Sequence, residues 1–141
     1  MHRFLLSLTI CITVTAALQA QKSLVWPVLT MTTYNEDPMT GKLVPKFPEV
    51  LVSQFEGQEV VVSGYLIPVD VEAKRYALSK NPFSSCFFCG NAGPETVIEL
   101  KFANDPGRFA TDKYLPISGE LQLNRNGSEL FFTLKNAKVA G

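Results

Sequence analysis

The chain has 141 residues, 46% hydrophobic and 18% charged, which suits one domain with an ordinary core. Thirteen basic and thirteen acidic residues cancel, and no run of Lys or Arg occurs. A neutral chain has no long-range field to attract nucleic acid or anionic lipid. Composition therefore argues against a nucleic-acid partner.

The first twenty residues have the pattern of a secretory signal peptide. Met1–Arg3 is a short positive head, and Phe4–Leu18 is an uncharged, largely apolar run that is short for a membrane-spanning helix. We predict that residues 1–20 are a signal peptide cleaved after Ala20, with an uncleaved anchor as the alternative. The protein is then exported to the periplasm or cell envelope, without stable membrane insertion after cleavage.

Cleavage changes the inventory of reactive side chains. His2 and Cys11 are removed, which leaves no histidine and only Cys86 and Cys89 as thiols. Without histidine, a Ser-His or Cys-His catalytic pair is impossible, so we predict a protein that is not an enzyme. In an oxidising space cysteines tend to be paired or metal-bound.

Residues 21–47 are interpreted as an N-terminal arm. Lys22–Tyr34 is rich in Val, Leu, Thr and Tyr, which favours a strand, although Pro27 confines part of it to an edge. Trp26 is expected to anchor the arm on the domain. Asn35–Lys42 is dense in turn formers and predicts a loop.

Residues 48–141 are interpreted as the main domain, which begins with a short helix. Pro48–Glu56 fits a helix with Pro48 at its first position and Gly57 just past its end. Leu51 and Phe55, four residues apart, are then on one face.

Five strands are predicted after this helix. Gln58–Val71 has the strongest signal, with apolar residues on both faces, a bend or bulge at Gly64 and the end of regular pairing at Pro68. Asn126–Gly127 indicates a tight hairpin between the last two strands. The other predicted strands are Lys74–Lys80, Thr96–Phe102, Leu115–Leu123 with a second mid-strand glycine, and Leu130–Leu134, which residues 135–140 extend.

These elements predict an all-β fold with one or two short helices. Five short strands with bending glycines fit a small, partly open OB-like barrel, and a β-sandwich is the alternative. Ala103–Lys113 is expected to be a loop with at most one helical turn, at the place where such a barrel usually carries its helix.

Asn81–Pro94 is the stretch in which chemistry is expected. Cys86-Phe87-Phe88-Cys89-Gly90 has the spacing of a metal knuckle, in which Gly90 permits the turn and leaves backbone amides free to bond sulfur. Zinc normally takes four ligands, so Glu95, Asp70, Glu72 or a second chain would have to complete the site. Copper(I) is soft and suits thiolates.

Two other interpretations of this loop stay open. In the first, Cys86 and Cys89 form a static disulfide or are buried thiols. Phe87 and Phe88 are then core residues or, if they are exposed together, a surface for a protein partner. The other is thiol-disulfide exchange. It is disfavoured because Gly90, Gly93 and Pro94 argue against the helix that usually lowers the thiol pKa.

The segment Gly64-Tyr65-Leu66-Ile67-Pro68, followed by the cysteine loop, resembles a family of small exported bacterial domains of uncharacterised function. The resemblance spans roughly residue 26 to the C-terminus and implies an OB-like barrel. The positions of this chain that match the family pattern are Gly64, Tyr65, Pro68 and Cys86. Some relatives have genes beside membrane transporter components linked to zinc supply, which implies such a component or another envelope protein as partner.

Many relatives place a histidine two residues after the cysteine, where this chain has Phe88 followed by Cys89. We therefore expect a non-enzymatic binding or accessory domain of the cell envelope, with metal handling through Cys86 and Cys89. Zinc or copper(I) is the expected ion.

Overall fold

The structure is a computed structural model, and it describes residues 20–126 and 130–141. The signal-peptide prediction and the Gly127 position of the hairpin turn lie outside the described residues. Within the described ranges, no helix is both long and apolar enough to cross a membrane. The elements of this part are β1 (Lys22–Ser23), α1 (Trp26–Leu29), β2 (Thr33–Glu36), β3 (Leu43–Lys46), α2 (Glu49–Gln54), β4 (Glu59–Asp70), β5 (Arg75–Ser79), β6 (Val97–Phe102), β7 (Lys113–Leu123) and β8 (Phe132–Val139).

Five strands, β4 to β8, close into a barrel. Their order is β4-β5-β6-β8-β7, and β7 pairs back onto β4 over eight residue pairs, from Glu59↔Glu120 to Leu66↔Lys113. All of these pairings are antiparallel except β6 with β8, which are parallel. The prediction of an all-β fold with a small five-stranded barrel and two short helices is confirmed.

The barrel interior is apolar and closely filled. Along β4 the residues Val60, Val62 and Leu66 are fully buried, whereas Val61 and Ser63 on the other face are half-buried. Both faces of the strand are therefore covered, as its apolar pattern predicts. The rest of the core comes from the other barrel strands and the two helices, with Leu29, Leu51, Leu78, Ile98, Ile117, Leu121, Phe132 and Leu134 fully buried.

The two mid-strand glycines have different roles. At Gly119 the register of β7 against β8 shifts between Ser118 and Glu120, which is the bulge expected of such a glycine. At Gly64 there is no register shift, so the strand has no bulge there; the register of β4 shifts between Pro68 and Asp70 instead. Gly64 permits close approach, because a Cβ there would lie 2.7 Å from the Ser79 carbonyl oxygen.

The continuous strand expected over Lys22–Tyr34 is wrong. Lys22 and Ser23 pair in parallel with β4, the chain then forms the single turn of α1, and a strand begins again only at Thr33. Pro27 is the reason, since its fixed φ and missing N–H suit the first turn of a helix. Trp26 anchors this segment as predicted, because its Nε1 donates to the Ser63 carbonyl at 2.8 Å.

The loop expected over Asn35–Lys42 is shorter than predicted. β2 extends to Glu36 and pairs antiparallel with β3. The sequence did not indicate β3, because it has only four residues and one of them is Pro45, a residue that is unfavourable in most strands. Asp37 closes the turn between them, because its Oδ1 accepts hydrogen bonds from the backbone amides of Met39 and Thr40 at 2.8 and 3.2 Å.

Helix α2 is confirmed near its predicted bounds. It begins at Glu49 with Pro48 as its N-cap, and Leu51 and Phe55 pack on the same core. Gly57 has φ +73°, the left-handed conformation expected past a helix end. The helix usual between strands three and four of such a barrel does not form, since residues 103–112 are bends and irregular chain.

Gly64 offers a direct test of this packing. The substitution Gly64→Ala places a methyl group 2.7 Å from the backbone oxygen of Ser79, and backbone cannot move aside as a flexible side chain can. We expect the free energy of unfolding to fall by about 2 kcal/mol, measured by urea denaturation. The control is Gly141→Ala, which has open space and should leave the stability unchanged. Equal stability of the two variants would contradict the packing role of Gly64.

Candidate functional site

The cysteine loop, residues 80–96, joins β5 to β6 and is closed at its base. Ser79 pairs with Val97, and the Lys80 amide donates to the Thr96 carbonyl at 3.0 Å. Ser79 is also the residue whose carbonyl packs on Gly64, so the first strand of the barrel fixes where the loop begins. Further along, the Phe83 amide donates to Asp112 Oδ1 at 2.7 Å.

Short 3₁₀ turns bring the two cysteines together. One turn covers Phe83–Ser85, a second covers Phe87–Cys89, and Gly90 ends the second with φ +73°. The prediction that Gly90 permits a sharp turn is confirmed. Pro94–Thr96 forms a third 3₁₀ turn, with Gly93 as its N-cap and Pro94 buried.

The backbone amides of the loop do not bond to sulfur, so that part of the knuckle prediction is wrong. The amides of Cys89 and Asn91 donate to the Cys86 carbonyl at 3.2 and 3.3 Å, and the Gly90 amide donates to Phe87 O at 2.9 Å. The 3₁₀ turn directs the Cys89 and Gly90 amides at carbonyls three residues back, and the Asn91 amide reaches the same Cys86 carbonyl as Cys89. These donors are therefore not available to the thiols.

Cys86 is fully buried and Cys89 is exposed, and both are free thiols. The Cys86 thiol is close enough to Cys89 to affect the protonation of Cys89. The Cys89 thiol also donates to the Phe83 carbonyl at 3.0 Å. Partial desolvation raises the pKa of Cys89 above its ordinary value, and the hydrogen bond and proximity to Cys86 raise it further.

The carboxylates considered as further ligands do not join the thiols. In the described ranges there is no group of three or more His, Cys, Asp or Glu side chains that could hold a metal ion. Asp70 instead accepts the Ala73 amide at 2.9 Å. Glu95 has one buried oxygen without a hydrogen-bond partner and lies near Tyr34, whose pKa is raised first by burial and then by the Glu95 charge. Glu72 is exposed.

Phe87 and Phe88 form an aromatic pair on the outer side of the loop. Their rings meet edge to face with centroids 5.5 Å apart. Phe88 is 41% exposed, whereas Phe87 is half-buried. Asn91 Nδ2 braces the loop by donating to the Ser84 carbonyl at 2.9 Å.

The residues of the Gly-Tyr-x-x-Pro segment make packing contacts. Tyr65 stands opposite Ser79 and Tyr114, and its ring meets that of Tyr114 edge to face at 5.0 Å. Pro68 pairs with Tyr76 just before the register shift. Tyr76 is buried, and its hydroxyl accepts a hydrogen bond from the Phe109 amide at 3.1 Å.

A groove beside the cysteine loop was missed by sequence reasoning. It has a volume of about 580 Å³ and lies between Phe87 and Phe88 of the loop and Leu43 of the β2–β3 hairpin. These residues are more than forty positions apart in the chain. Since β3 itself gave no sequence signal, no local pattern indicated this groove.

Comparison with known proteins adds one fold-level finding. No family model and no curated protein matches the chain. A crystal structure of a DUF3299 family protein from Pseudomonas aeruginosa PAO1 matches with a TM-score of 0.57 and 14% identity, over 86% of this chain and 97% of that one. At this identity the likeness concerns the fold alone. A bacterial family of uncharacterised function is also what the sequence resemblance led us to expect.

The thiol contact predicts a pH profile for alkylation. Iodoacetamide reacts with the thiolate, and the raised pKa of Cys89 leaves less thiolate at a given pH. The alkylation rate of Cys89, read by intact mass, should therefore rise at higher pH in the folded chain than in the chain unfolded in urea. In Cys86→Ala the hydrogen bond and the second ionisable group are lost, and the profile should move to lower pH. Superimposable profiles of Cys89 in both proteins would contradict the contact.

Proposed function

We propose that the protein is an exported, non-enzymatic binding domain of the cell envelope that holds one copper(I) ion between Cys86 and Cys89. The observation that carries the proposal is that one tight turn holds two free thiols three positions apart, one buried and one open to solvent. An ion can reach the pair from the side of Cys89 and is then held against a rigid, buried sulfur.

The donor set decides between the two metals expected from the sequence. Two thiols without a third ligand in the described ranges do not make the four-ligand site that zinc takes within one chain. Soft thiolate ligands select copper(I), which two sulfurs can hold in a linear arrangement. Both cysteines bind metal as thiolates, so the affinity should rise with pH as the protons are displaced.

A zinc ion shared by two chains would use the same two sulfurs from each chain, four in all. It is supported by the resemblance to domains encoded beside transporter components linked to zinc supply. In that arrangement each chain contributes Cys86 and Cys89, and binding produces a dimer with one ion for two chains. The partner in either case is a transporter component or another envelope protein.

A protein-interaction module is the second candidate function. It is favoured by the 41% exposure of Phe88 on the outer side of the loop. Thiol-disulfide exchange has less support, because the raised pKa of Cys89 reduces the thiolate that would attack a disulfide. Export itself is supported by the pattern of the first twenty residues.

Metal titration tests the proposal. Residues 21–141, reduced and without oxygen, are titrated with copper(I) in competition with bicinchoninate. We expect one ion per chain. The variants Cys86→Ser and Cys89→Ser should each lose stoichiometric binding, since one sulfur cannot hold the ion alone. Ser85→Ala, a change at a neighbouring non-ligand position of the same loop, is the matched control and should bind as the wild type does.

Two outcomes would contradict copper(I) as the cargo. One is wild-type binding that Cys86→Ser or Cys89→Ser leaves intact, which would place the ion elsewhere. The other is stoichiometric zinc at one ion per two chains with a doubled mass by light scattering, and no tight copper(I). That result would assign the thiols to a zinc-bridged dimer instead.

A further inference from the structure

The groove beside the cysteine loop is lined by three separate parts of the chain. Its floor is the outward face of β5 and β6, where Ala77 stands opposite Glu99. The β2–β3 hairpin forms one side, and the aromatic pair of the cysteine loop contributes another. The remaining lining residues include Val69, Pro94, Leu130 and Phe131.

Most of this lining is apolar, and a small side chain, Ala77, lies at its floor. Ala77 is buried but does not belong to the core inside the barrel, so its small side chain is what leaves room above the sheet. A volume of about 580 Å³ is within the range of sites that take small organic molecules. Most small-molecule sites combine such apolar walls with a few charged or polar groups that orient the ligand.

Three charged side chains line the groove, and they are Lys42, Arg75 and Glu99. Arg75, Glu99 and Leu100 also line a second depression of about 480 Å³, so the two depressions adjoin. Among the described residues that line them, there are two carboxylates, Glu99 and Asp105, and four cations, Lys42, Lys74, Arg75 and Lys101.

The ion pairs leave positive charge in the groove and the adjoining depression. Lys74 pairs with Asp105, and the single carboxylate of Glu99 lies 3.9 Å from both Arg75 and Lys101. Arg75 is 62% exposed, so its guanidinium is accessible to a ligand. Since the whole chain is neutral, this excess is a local property of the groove rather than of the surface in general.

We propose that this groove binds a small amphipathic organic anion, with its apolar body against Leu43, Phe87 and Phe88 and its acidic head at Lys42 and Arg75. A guanidinium presents two parallel N–H donors that match a carboxylate. Nucleic acid fits less well, because it needs contacts to several successive phosphates. This binding site is separate from the thiol pair and does not depend on a metal.

Two fluorescent probes with the same ring system test the proposal. 1-Anilinonaphthalene-8-sulfonate carries an anionic head, and N-phenyl-1-naphthylamine lacks it. We expect one anionic probe per chain, bound about tenfold more tightly than the neutral one, because a charge-assisted hydrogen bond is lost with the head group. Decanoate should displace the anionic probe, and decan-1-ol should do so at about tenfold higher concentration.

Variants separate the head site from the apolar walls. Lys42→Gln and Arg75→Gln should weaken the anionic probe about tenfold and leave the neutral probe unchanged. Leu43→Ser should weaken both probes, because it removes apolar wall. Lys138→Gln, an exposed cation on β8 that lines neither depression, is the matched control and should change neither.

The proposal is overturned by any of three results: no probe binding at one per chain, equal affinity for the two probes, or loss of the anionic probe's advantage in Lys138→Gln as well as in Arg75→Gln. Each variant's urea denaturation midpoint is measured alongside. A variant that unfolds is replaced by Lys42→Met or Arg75→Met, which keep part of the apolar stem of the side chain without its charge.

Discussion

The contact between the Gly64 backbone and the Ser79 carbonyl fixes the relation between the barrel and the cysteine loop. Gly64 lies in the middle of β4, and Ser79 is the last residue of β5 before the loop. Trp26 packs on the same glycine and donates to the adjacent Ser63 carbonyl, so the N-terminal segment, the first barrel strand and the loop base meet at one point. A side chain at position 64 would separate all three, because closely packed interiors accommodate an added methyl group poorly.

The loop held there combines two unlike surfaces. On one side is the thiol pair, in which the Cys89 thiol donates to the Phe83 carbonyl. On the other side the rings of Phe87 and Phe88 contribute to the wall of a groove that the β2–β3 hairpin completes. Two sulfurs and an apolar wall within four consecutive residues explain why metal binding and partner binding are both reasonable hypotheses for the same segment. Substitutions can separate the two hypotheses, because metal binding depends on Cys86 and Cys89, whereas partner binding depends on Phe87 and Phe88.

The sequence indicated the barrel well because its strands are long and its apolar residues alternate. Gln58–Val71 and Leu115–Leu123 have strong local signals, and the hairpin pairing of β7 with β8 agrees with the turn signal at Asn126. The sequence also indicated that Cys86 and Cys89 would be close, since a short turn with Gly90 leaves little choice. It could not indicate β3, where Pro45 conceals a four-residue strand, or α1, where Pro27 favours a turn over a strand. The amide hydrogen bonds of the loop depend on the type of turn, and the groove depends on packing between distant segments, so neither has a local signature.

The parallel pairing of β6 with β8 has a consequence for how the chain acquires its structure. In the chain, the whole of β7 lies between these two strands; it bonds to β8 on one side and to β4, more than forty residues earlier, on the other. A partial sheet made from β4 to β7 leaves β6 and β7 each without one final neighbour, because β8 must enter between them. Such non-local pairings make folding slow compared with helical domains of the same size. Until β8 arrives, the backbone groups of β6 and β7 are unpaired edges, and an intermediate of this kind is prone to associate with other copies.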